Sequence, residues 1–352
     1  MKRLLTLAAL VLPIALTAQR AEPLDPQNLK KWDIPAGNYS GITPLGNDRY
    51  AVVSDKDSAD GFHIFQIEIS SATGVITNVT DEGFFANPKA ERTWQGYSVR
   101  DCEGIAYHPT GSIFISGEGD QEILEYTMRG LPTGRRLAIP AIFGKGKTVG
   151  NMGFEALCYD TATHRFWTTT ETTLPADGPH VTARTPSVIN VLRLQSFGDD
   201  LQPAAQYAYR MDVGRTKKNG RNYAYGVSAI CPYGDGRLLV MERELNITKN
   251  YLGSETVTKI YLVDPKRAKA ISDTTDVQHL APGDYVPKHL LTSFTTKIAA
   301  FSIGWANYEG MCLGPELEGG RRTLLLINDS QNRAGKRLGR LKDYLRVVIL
   351  YP

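Results

Sequence analysis

The sequence is poor in the motifs on which the best-known hydrolytic and zinc-dependent active sites depend. Its six histidines are scattered along the 352 residues, at His63, His108, His164, His180, His279 and His289. This distribution supports neither a Ser-His-Asp triad nor a zinc signature. A phosphate-binding loop at residues 144–148 is excluded because Ala141 stands where its first glycine is required. Residues 226–230 lack the second glycine of a nucleophile elbow.

Neither a large excess of one charge nor a membrane-length apolar run is present. The net charge of +3 gives no indication of nucleic-acid binding. An apolar run at residues 4–15 follows two basic residues, contains Pro13 and is too short to cross a membrane. With the small residue Ala18 after it, this pattern predicts a signal peptide at residues 1–18. We therefore expect residues 19–352 to be exported to a periplasm or out of the cell. No later apolar run is long enough to span a membrane, so we expect no membrane span. The default expectation for the oligomeric state is a monomer.

What the sequence does contain is a four-residue unit that recurs five times. Its second residue is Glu or Ser, its third is Gly or Ala, and its fourth is aliphatic, at residues 39–42, 102–105, 154–157, 227–230 and 308–311. Each unit is followed by a turn and by a second apolar run that ends in an acid. Two runs joined by a turn predict a β-hairpin, so the repeat predicts five hairpins. Candidate third strands follow four of them, at residues 63–69, 123–128, 187–194 and 259–263.

This regular repeat predicts an all-β fold, a single β-propeller with five blades of four strands. The interval between Ser228 and Glu309 is the longest and leaves room for a sixth blade. Only residues 346–351 form a strand pattern after the last hairpin, so the last blade lacks a fourth strand. Residues 29–34 are the candidate for it. We therefore expect the ring to close by pairing of N-terminal and C-terminal strands, which removes a free edge.

The repeat also predicts a site at one mouth of the propeller channel. Because the first strand of each blade lines the channel, the second residues of the units should face one another, at Ser40, Glu103, Glu155, Ser228 and Glu309. The acids that end the second strands should lie nearby and include the catalytic candidates, one of which would take a proton from water: Asp55, Glu118, Glu171, Glu242 and Asp329.

Converging carboxylates repel one another, and a bound cation relieves that repulsion. The oxygen-only donor set of the predicted inner ring favours Ca²⁺, with Mg²⁺ or Mn²⁺ as alternatives. A second interpretation needs no metal, because backbone N–H groups would cap Glu103, Glu155 and Glu309, which would then only hold the inner strands in place.

The remaining charged and sulfur-containing residues give two smaller predictions. Arg243 and Arg333 each lie within four residues of a predicted mouth acid, so they are the candidates for binding a small anionic substrate. The other basic clusters are interpreted as solvated loops. Three of the four cysteines occupy equivalent positions in different repeats. Equivalent positions in neighbouring blades are too far apart for a disulfide bond. We expect all four to be small buried residues.

Three segments of the chain resemble the phytase-like family, also called "esterase-like activity of phytase". They are residues 101–107, residues 239–244, and residues 307–311 followed by 321–329. The order Ser, Glu, Glu, Ser, Glu around the ring is also similar, more distantly, to that of the calcium-activated nucleotidases (apyrases). That resemblance implies a five-bladed propeller with an axial calcium ion held by Ser40, Glu103, Glu155, Ser228 and Glu309.

These observations lead to one main functional hypothesis and two alternatives. The main hypothesis is an exported, calcium-dependent hydrolase of phosphoric esters or anhydrides. The first alternative is a non-catalytic propeller that binds a ligand or partner and holds a structural ion, since the fold serves both classes. The second is a metal-dependent carboxylesterase or lactonase, because a Lewis acid polarises carbonyl groups as well as phosphoryl groups.

Overall fold

The computed structural model describes residues 19–215, 220, 222–249, 251–299, 302–334 and 341–351. The predicted signal peptide, residues 1–18, lies outside the described residues. Among the residues described, no helix is long and apolar enough to cross a membrane. The helices present are short 3₁₀ turns, at Leu29–Trp32, Ala141–Phe143, Pro175–Asp177, Pro265–Arg267, Val277–His279 and Pro282–Asp284.

The strands form five antiparallel sheets, which are the blades of a propeller. The first strands of the chain are β1 (Arg20–Pro23) and β2 (Gln27–Asn28). Blade 1 follows with β3 (Tyr39–Gly46), β4 (Arg49–Ser54), β5 (Gly61–Ile69) and β6 (Ile76–Ala86). Blade 2 contains β7 (Cys102–His108), β8 (Ser112–Gly117), β9 (Ile123–Thr127) and β10 (Pro132–Arg136).

Blades 3 and 5 each include a strand from a distant part of the chain, whereas blade 4 is built from neighbouring segments. Blade 3 contains β11 (Phe154–Asp160), β12 (Arg165–Thr170), β13 (Val191–Phe197) and β14 (Pro203–Arg210). Its fifth strand is the short β18 (Ala270–Ile271), which comes much later in the chain. Blade 4 contains β15 (Asn222–Gly234), β16 (Arg237–Ile247), β17 (Glu255–Val263), β19 (Lys288–Ala299) and β20 (Ser302–Ile303). Blade 5 contains β21 (Asn307–Leu313), β22 (Arg322–Asp329) and β23 (Tyr344–Tyr351), with β1 as its outer strand.

The five innermost strands, β3, β7, β11, β15 and β21, contact one another in a closed ring. This arrangement confirms the predicted five-bladed propeller. The long interval between Ser228 and Glu309 is occupied by blade 4, by β18 and by short helices. Apolar side chains fill the spaces between adjacent blades, so the core is divided into interblade layers. All four cysteines are buried and free, as predicted.

Pairing of β1 with β23 closes the ring. The strands run antiparallel, with Arg20 opposite Tyr351 and Pro23 opposite Val348. Closure by N-terminal and C-terminal strands is confirmed, but the predicted closing segment, residues 29–34, is not the one used. That segment begins with the 3₁₀ helix Leu29–Trp32, because the Asn28 side chain accepts a hydrogen bond from the backbone N–H of Lys30 at 3.0 Å and Leu29 is buried.

Every inner strand carries a β-bulge at the Glu or Ser of its repeat unit. The pairing register shifts between Tyr39 and Gly41, and again between Phe154 and Ala156. Equivalent shifts occur around Glu103, Ser228 and Glu309. A bulge inserts an unpaired residue and redirects its side chain. The repeat therefore places one polar side chain from each blade at the same level along the channel axis.

The glycine after the bulge has a packing reason in blades 1 and 2. A Cβ atom on Gly41 would lie 2.4 Å from the backbone oxygen of Glu103 in the next blade. A Cβ atom on Gly104 would lie 2.8 Å from the backbone oxygen of Glu155. Distances under 3.0 Å require the structure to shift, so glycine at these two positions permits the inner strands to approach one another closely.

Candidate functional site

The strand registers define a second ring of mouth positions beside the five bulges. Ser54, Gly117, Thr170, Glu242 and Asn328 each pair with the residue before a bulge, at equivalent places in the five blades. The next residue in each blade therefore lies at the mouth. In chain order these residues are Asp55, Glu118, Glu171, Arg243 and Asp329. Four are the predicted acids, and the fourth blade supplies an arginine.

Arg243 lies buried among the carboxylates of blades 3 and 5. Its guanidinium donates to Glu171 and to Glu309, and also to the Asn307 side-chain oxygen at 3.1 Å. Its Nη2 atom lies 4.0 Å from Glu155 Oε1. Burial alone would lower the pKa of Arg243, but the surrounding carboxylates outweigh it and raise this pKa. Arg243 is therefore a fixed internal counter-charge.

The half of the mouth formed by blades 1 and 2 is less fully compensated. Lys56 Nζ donates to Asp55 at 2.7 Å and to Asp101 at 2.8 Å. One oxygen atom each from Asp55, Asp101 and Glu103 lie within 4.8 Å of one another. Asp55 Oδ1 and Glu118 Oε2 are buried without a hydrogen-bond partner among the described residues. Such unsatisfied carboxylate oxygens are what a bound hard cation would pair with.

Burial and mutual repulsion raise the pKa values of Glu103, Glu118, Glu155, Glu309 and Asp329. The pKa values of Glu103, Glu155 and Glu309 lie well above their usual range, first because of burial and then because of neighbouring carboxylates, while Arg243 opposes the rise at Glu155 and Glu309. Burial and the nearby Glu171 raise the pKa of Glu118 to about 8. Burial and Asp55 raise the pKa of Asp329 to about 7. The cluster therefore has too little positive charge to ionise fully near neutral pH.

The predicted inner ring surrounds a small space on the propeller axis. Ser40, Glu155, Ser228 and Glu309 all line a cavity of about 10 Å³, close to the least volume that one water molecule requires. Ser40 Oγ donates to the backbone oxygen of Asn38 at 3.1 Å, and Ser228 Oγ donates to that of Tyr308 at 3.3 Å. These hydroxyl oxygens keep lone pairs available. Four of the five predicted members therefore share this space, Glu103 does not line it, and Arg243 engages the Glu309 member.

Glu242 lies outside this cluster. The prediction ended the second strand of blade 4 at Met241, whereas β16 continues to Ile247 and turns Glu242 to the opposite face of its sheet. There it is fully buried, and it accepts hydrogen bonds from Tyr209 at 2.8 Å, Tyr225 at 2.6 Å and Lys288 at 2.8 Å. Glu242 therefore links blades 3 and 4 and does not face the channel.

Arg333 is also placed differently from the prediction. Its guanidinium donates to Asp343 and, at 2.8 Å, to the backbone oxygen of Ile34. It thus ties a segment near the N-terminus to one near the C-terminus, and its Nε and Nη2 atoms donate within the protein. Arg243, the other predicted anion-binding residue, is at the mouth, but its Nη1 and Nη2 atoms are occupied by protein oxygens.

Sequence reasoning missed three polar residues of the site. Asp101 directly precedes the second repeat unit and has a positive φ of 52°, and Lys56 directly follows Asp55. Asn307 donates through Nδ2 to Glu309 Oε1 at 2.7 Å. Each of these residues lies within two positions of a predicted acid, and that adjacency was the available signal.

Comparison with known proteins identifies the family. The family model described as "Phytase-like: Esterase-like activity of phytase" matches residues 34–331, nearly all of the ring. The chain belongs to the phytase-like family. This result confirms the family resemblance noted in the sequence. The likeness to the calcium-activated nucleotidases stays a prediction, since no comparison tests it.

Solved structures give weaker similarities to this phytase-like chain. An endo-arabinase from Bacteroides thetaiotaomicron is 11% identical with a TM-score of 0.46, over 91% of this chain and 95% of that one. A luciferin-regenerating enzyme is 12% identical with a TM-score of 0.42, over 94% and 95%. The RS223 β-xylosidase is 12% identical with a TM-score of 0.42, over 92% and 94%. No curated protein matches the chain.

Proposed function

We propose that this member of the phytase-like family is an exported, cation-dependent hydrolase of phosphoric esters or anhydrides. The observation that carries the proposal is the uneven charge balance of the mouth. Arg243 donates hydrogen bonds to Glu171 of blade 3 and Glu309 of blade 5. On the other side, Asp55 and Glu118 each have a buried carboxylate oxygen without a hydrogen-bond partner among the described residues. A cation-binding half beside a fixed guanidinium is a suitable arrangement for an anionic group.

The donor chemistry of this half fits Ca²⁺, with Mg²⁺ or Mn²⁺ as alternatives. Asp55, Asp101 and Glu103 would hold the ion, and all offer carboxylate oxygens, the ligands that hard cations prefer. The predicted ring residues Glu155, Ser40 and Ser228 supply further oxygens at the axis. When bound, such an ion polarises a phosphoryl oxygen as a Lewis acid.

The chain's own residues supply positioning and proton transfer in this proposal. Glu118 is the proton acceptor, because Gly153 N–H holds its Oε1 at 2.6 Å while Oε2 has no partner among the described residues. Asp329 is held by the backbone N–H of Gln331 at 2.6 Å and serves as a second acceptor. Arg243 fixes Glu171 and Glu309 and limits their repulsion.

A specific observation also favours a second candidate, the binding propeller with a structural ion. Glu103, Glu155 and Glu309 are all buried, and the axial cavity has room for little more than one water molecule or ion. A sealed ion would only stabilise the ring. The carboxylesterase or lactonase alternative uses the same mouth residues and differs only in the substrate.

The test compares the protein of residues 19–352 with two carboxylate variants. Glu103→Gln removes a mouth acid, and Glu68→Gln removes an exposed acid of β5 as the matched control. We expect calorimetry to show calcium binding that is lost in Glu103→Gln and kept in Glu68→Gln. We also expect calcium-dependent turnover in a panel of phosphomonoesters, phosphodiesters, nucleotides and carboxylic esters.

The outcomes separate the candidates. Turnover of phosphorylated compounds supports the proposal, and turnover of carboxylic esters alone supports the esterase alternative. Calcium binding with no turnover of any compound supports the structural ion. No calcium binding by the wild-type protein, together with equal melting temperatures in calcium and in chelator, contradicts the metal-dependent mechanism.

A further inference from the structure

A short hairpin on the mouth side of the propeller carries the most exposed large apolar side chain of the described residues. It lies in the connection between β6 of blade 1 and β7 of blade 2. Because β7 begins at the mouth with Cys102 and Glu103, this connection is on the mouth side. The side chain is that of Trp94, which is 92% exposed. An aromatic ring of this size gains by leaving water, so its exposure calls for an explanation.

Hydrogen bonds hold the turn that carries Trp94. Thr93 N–H donates to the Tyr97 backbone oxygen at 2.7 Å, and Gly96 N–H donates to that of Thr93 at 2.9 Å. Gly96 has a positive φ of 87°, which glycine adopts without strain. The turn is therefore ordered by its own backbone, and it holds the indole ring away from the rest of the protein.

Ser98 anchors the hairpin to blade 1 and sets the direction of its neighbours. Ser98 is 5% exposed, and its backbone N–H donates to the Asp57 oxygen at 2.8 Å. Successive side chains of an extended segment point to opposite sides, so Tyr97 and Val99 point away from the anchored side of Ser98. They are 38% and 37% exposed. We call the exposed apolar side chains of this hairpin the apolar tip: Trp94, Tyr97 and Val99.

Exposed cations lie on the same side of the propeller as the apolar tip. Lys89 and Arg92 belong to the connection that carries the tip, and Lys145 and Lys147 belong to the connection between β10 and β11. None of the four forms an ion pair with a described residue. Within residues 87–99, which are all described, Glu91 is the one acid. Aromatic side chains next to unpaired lysine and arginine are complementary to a lipid surface that carries negative charge.

The size of the apolar tip favours a lipid surface over a second copy of the chain. Trp94 and Tyr97 together offer at most about 500 Å² of aromatic surface, whereas a stable dimer of standard size buries about 800 Å² on each partner. A bilayer needs no matching surface, because its interface accepts single tryptophan and tyrosine rings at the level of the headgroups. The tip is therefore large enough for a lipid interface and too small for a dimer.

We propose that this hairpin docks the protein on an anionic lipid surface. Trp94 and Tyr97 enter the interface, and Lys89 and Arg92 contact the negatively charged headgroups. Since the hairpin stands on the mouth side, docking turns the mouth of the channel toward the lipid. Docking does not depend on the proposed hydrolase function, because neither the mouth acids nor a bound cation takes part in it.

The test measures binding of the protein of residues 19–352 to vesicles by sedimentation. The vesicles contain phosphatidylcholine alone, or phosphatidylcholine with about one-third phosphatidylglycerol, an anionic lipid. We expect binding to the anionic vesicles that Trp94→Ala weakens about tenfold or more. The double variant Lys89→Gln/Arg92→Gln should weaken it about fivefold or more. Leu131→Ala should bind like the wild-type protein, because Leu131 is an exposed apolar residue in the turn between β9 and β10, on the side of the propeller opposite the mouth.

Tryptophan fluorescence gives a second readout at the side chain itself. Lipids with brominated acyl chains quench a tryptophan that enters the interface, and we expect this quenching in the wild-type protein and in Leu131→Ala. Trp94→Phe keeps an aromatic ring but removes the fluorophore, so it should keep part of the binding and lose the quenching. Melting temperatures equal to that of the wild-type protein will show that the hairpin variants are folded.

Several outcomes would overturn the proposal. They are no binding of the wild-type protein to anionic vesicles, equal binding to both kinds of vesicle, and binding that Trp94→Ala leaves unchanged. Trp94-dependent binding to heparin, without binding to vesicles, would assign the hairpin to an anionic polysaccharide instead. A Trp94-dependent dimer in sedimentation velocity, again without binding to vesicles, would assign it to a second copy of the chain.

Discussion

Two cations of different character balance the mouth acids. Arg243 is 4% exposed, and its Nη1 and Nη2 atoms bond to protein oxygens, so removing it would leave Glu171 and Glu309 as uncompensated buried charges. Lys56 has a side chain that is 34% exposed and pairs with both Asp55 and Asp101. Its ammonium lies on a flexible four-carbon stem and is nearer to solvent than the guanidinium of Arg243. The positive charge is therefore enclosed on one side of the mouth and partly exposed on the other.

His63 predicts a pH dependence of stability. Burial alone would lower its pKa, but hydrogen bonds with Asp57 and Asp81 outweigh burial and raise the pKa from 6.5 to about 9. The native state therefore holds this proton more tightly than the unfolded state does. The resulting stabilisation, up to about 3 kcal/mol, is fully present below pH 6.5 and is lost as the pH rises toward 9.

The measurement is urea unfolding of the wild-type protein and His63→Gln at several pH values. We expect the difference in unfolding free energy between them to shrink between pH 6.5 and 9.5. His279→Gln, at an exposed histidine paired with Asp276, serves as the control. A difference that stays constant over this range would contradict the assigned charge state of His63.

The inner ring was predictable at the residue scale because each member sits in the same four-residue unit. The outer ring was predictable in four blades, where Asp55, Glu118, Glu171 and Asp329 lie at or directly after the strand end. In blade 4 two acids, Glu242 and Glu244, flank Arg243, and only the pairing of Gly226 with Arg243 decides which residue faces the channel. A shift of one residue reverses the face of a strand, and composition alone does not reveal it.

At the scale of the element, the bulge and the small residue after it together determine how each inner strand packs at the channel. The bulge turns the Glu or Ser toward the axis, and the glycine admits the neighbouring strand. Gly104→Ala would place a Cβ atom 2.7 Å from Ser116 Oγ and 2.8 Å from Leu157 Cβ. We expect this substitution to lower the unfolding free energy by about 1–3 kcal/mol, as measured by thermal or urea unfolding.

Gly283→Ala is the matched control for that prediction. Nothing lies within 4 Å of a Cβ atom built on Gly283, so its unfolding free energy should stay near that of the wild-type protein. Equal stability of the Gly104→Ala and Gly283→Ala variants would show that close approach of the inner strands is not required.

The hairpins were more predictable than the outer strands. The apolar pattern located β4, β8 and β12 to within a residue, because these strands are buried on both faces. The predicted third strand at residues 187–194 is found at Val191–Phe197, and β10 consists wholly of exposed residues. A solvent-facing edge strand such as β10 has little hydrophobic periodicity, so its register depends on tertiary pairing, whereas the Val191–Phe197 strand is fully buried and only its bounds were misplaced.

At the scale of the whole molecule, the seam between β1 and β23 decides whether the ring is closed. Beyond the strand pairing, Leu24 N–H donates to the Val347 backbone oxygen at 2.9 Å, and Arg346 Nε donates to the Leu24 oxygen at 2.7 Å. Without β1, β23 would become an exposed edge strand. A variant that begins at residue 25 should lose about 1 kcal/mol for each missing backbone hydrogen bond.

Hydrogen exchange gives the sharper measurement for that variant. In β23, the amides that bond to β1 alternate with those that bond to β22. We expect the first set to lose protection and the second set to keep it. The amides of β9 in blade 2 provide the internal control. Uniform loss of protection across all blades would instead indicate that the ring unfolds as one unit.

The seam also constrains the order in which the protein is completed during synthesis. Apart from the short strand β18, each of the first three blades is built from strands that are close in sequence and are therefore synthesised within a short time of one another. The last blade must recover β1 after more than three hundred further residues have been made, since Arg20 pairs with Tyr351. Until then β1 has no permanent partner, so a holding chaperone that keeps this stretch extended would prevent premature pairing.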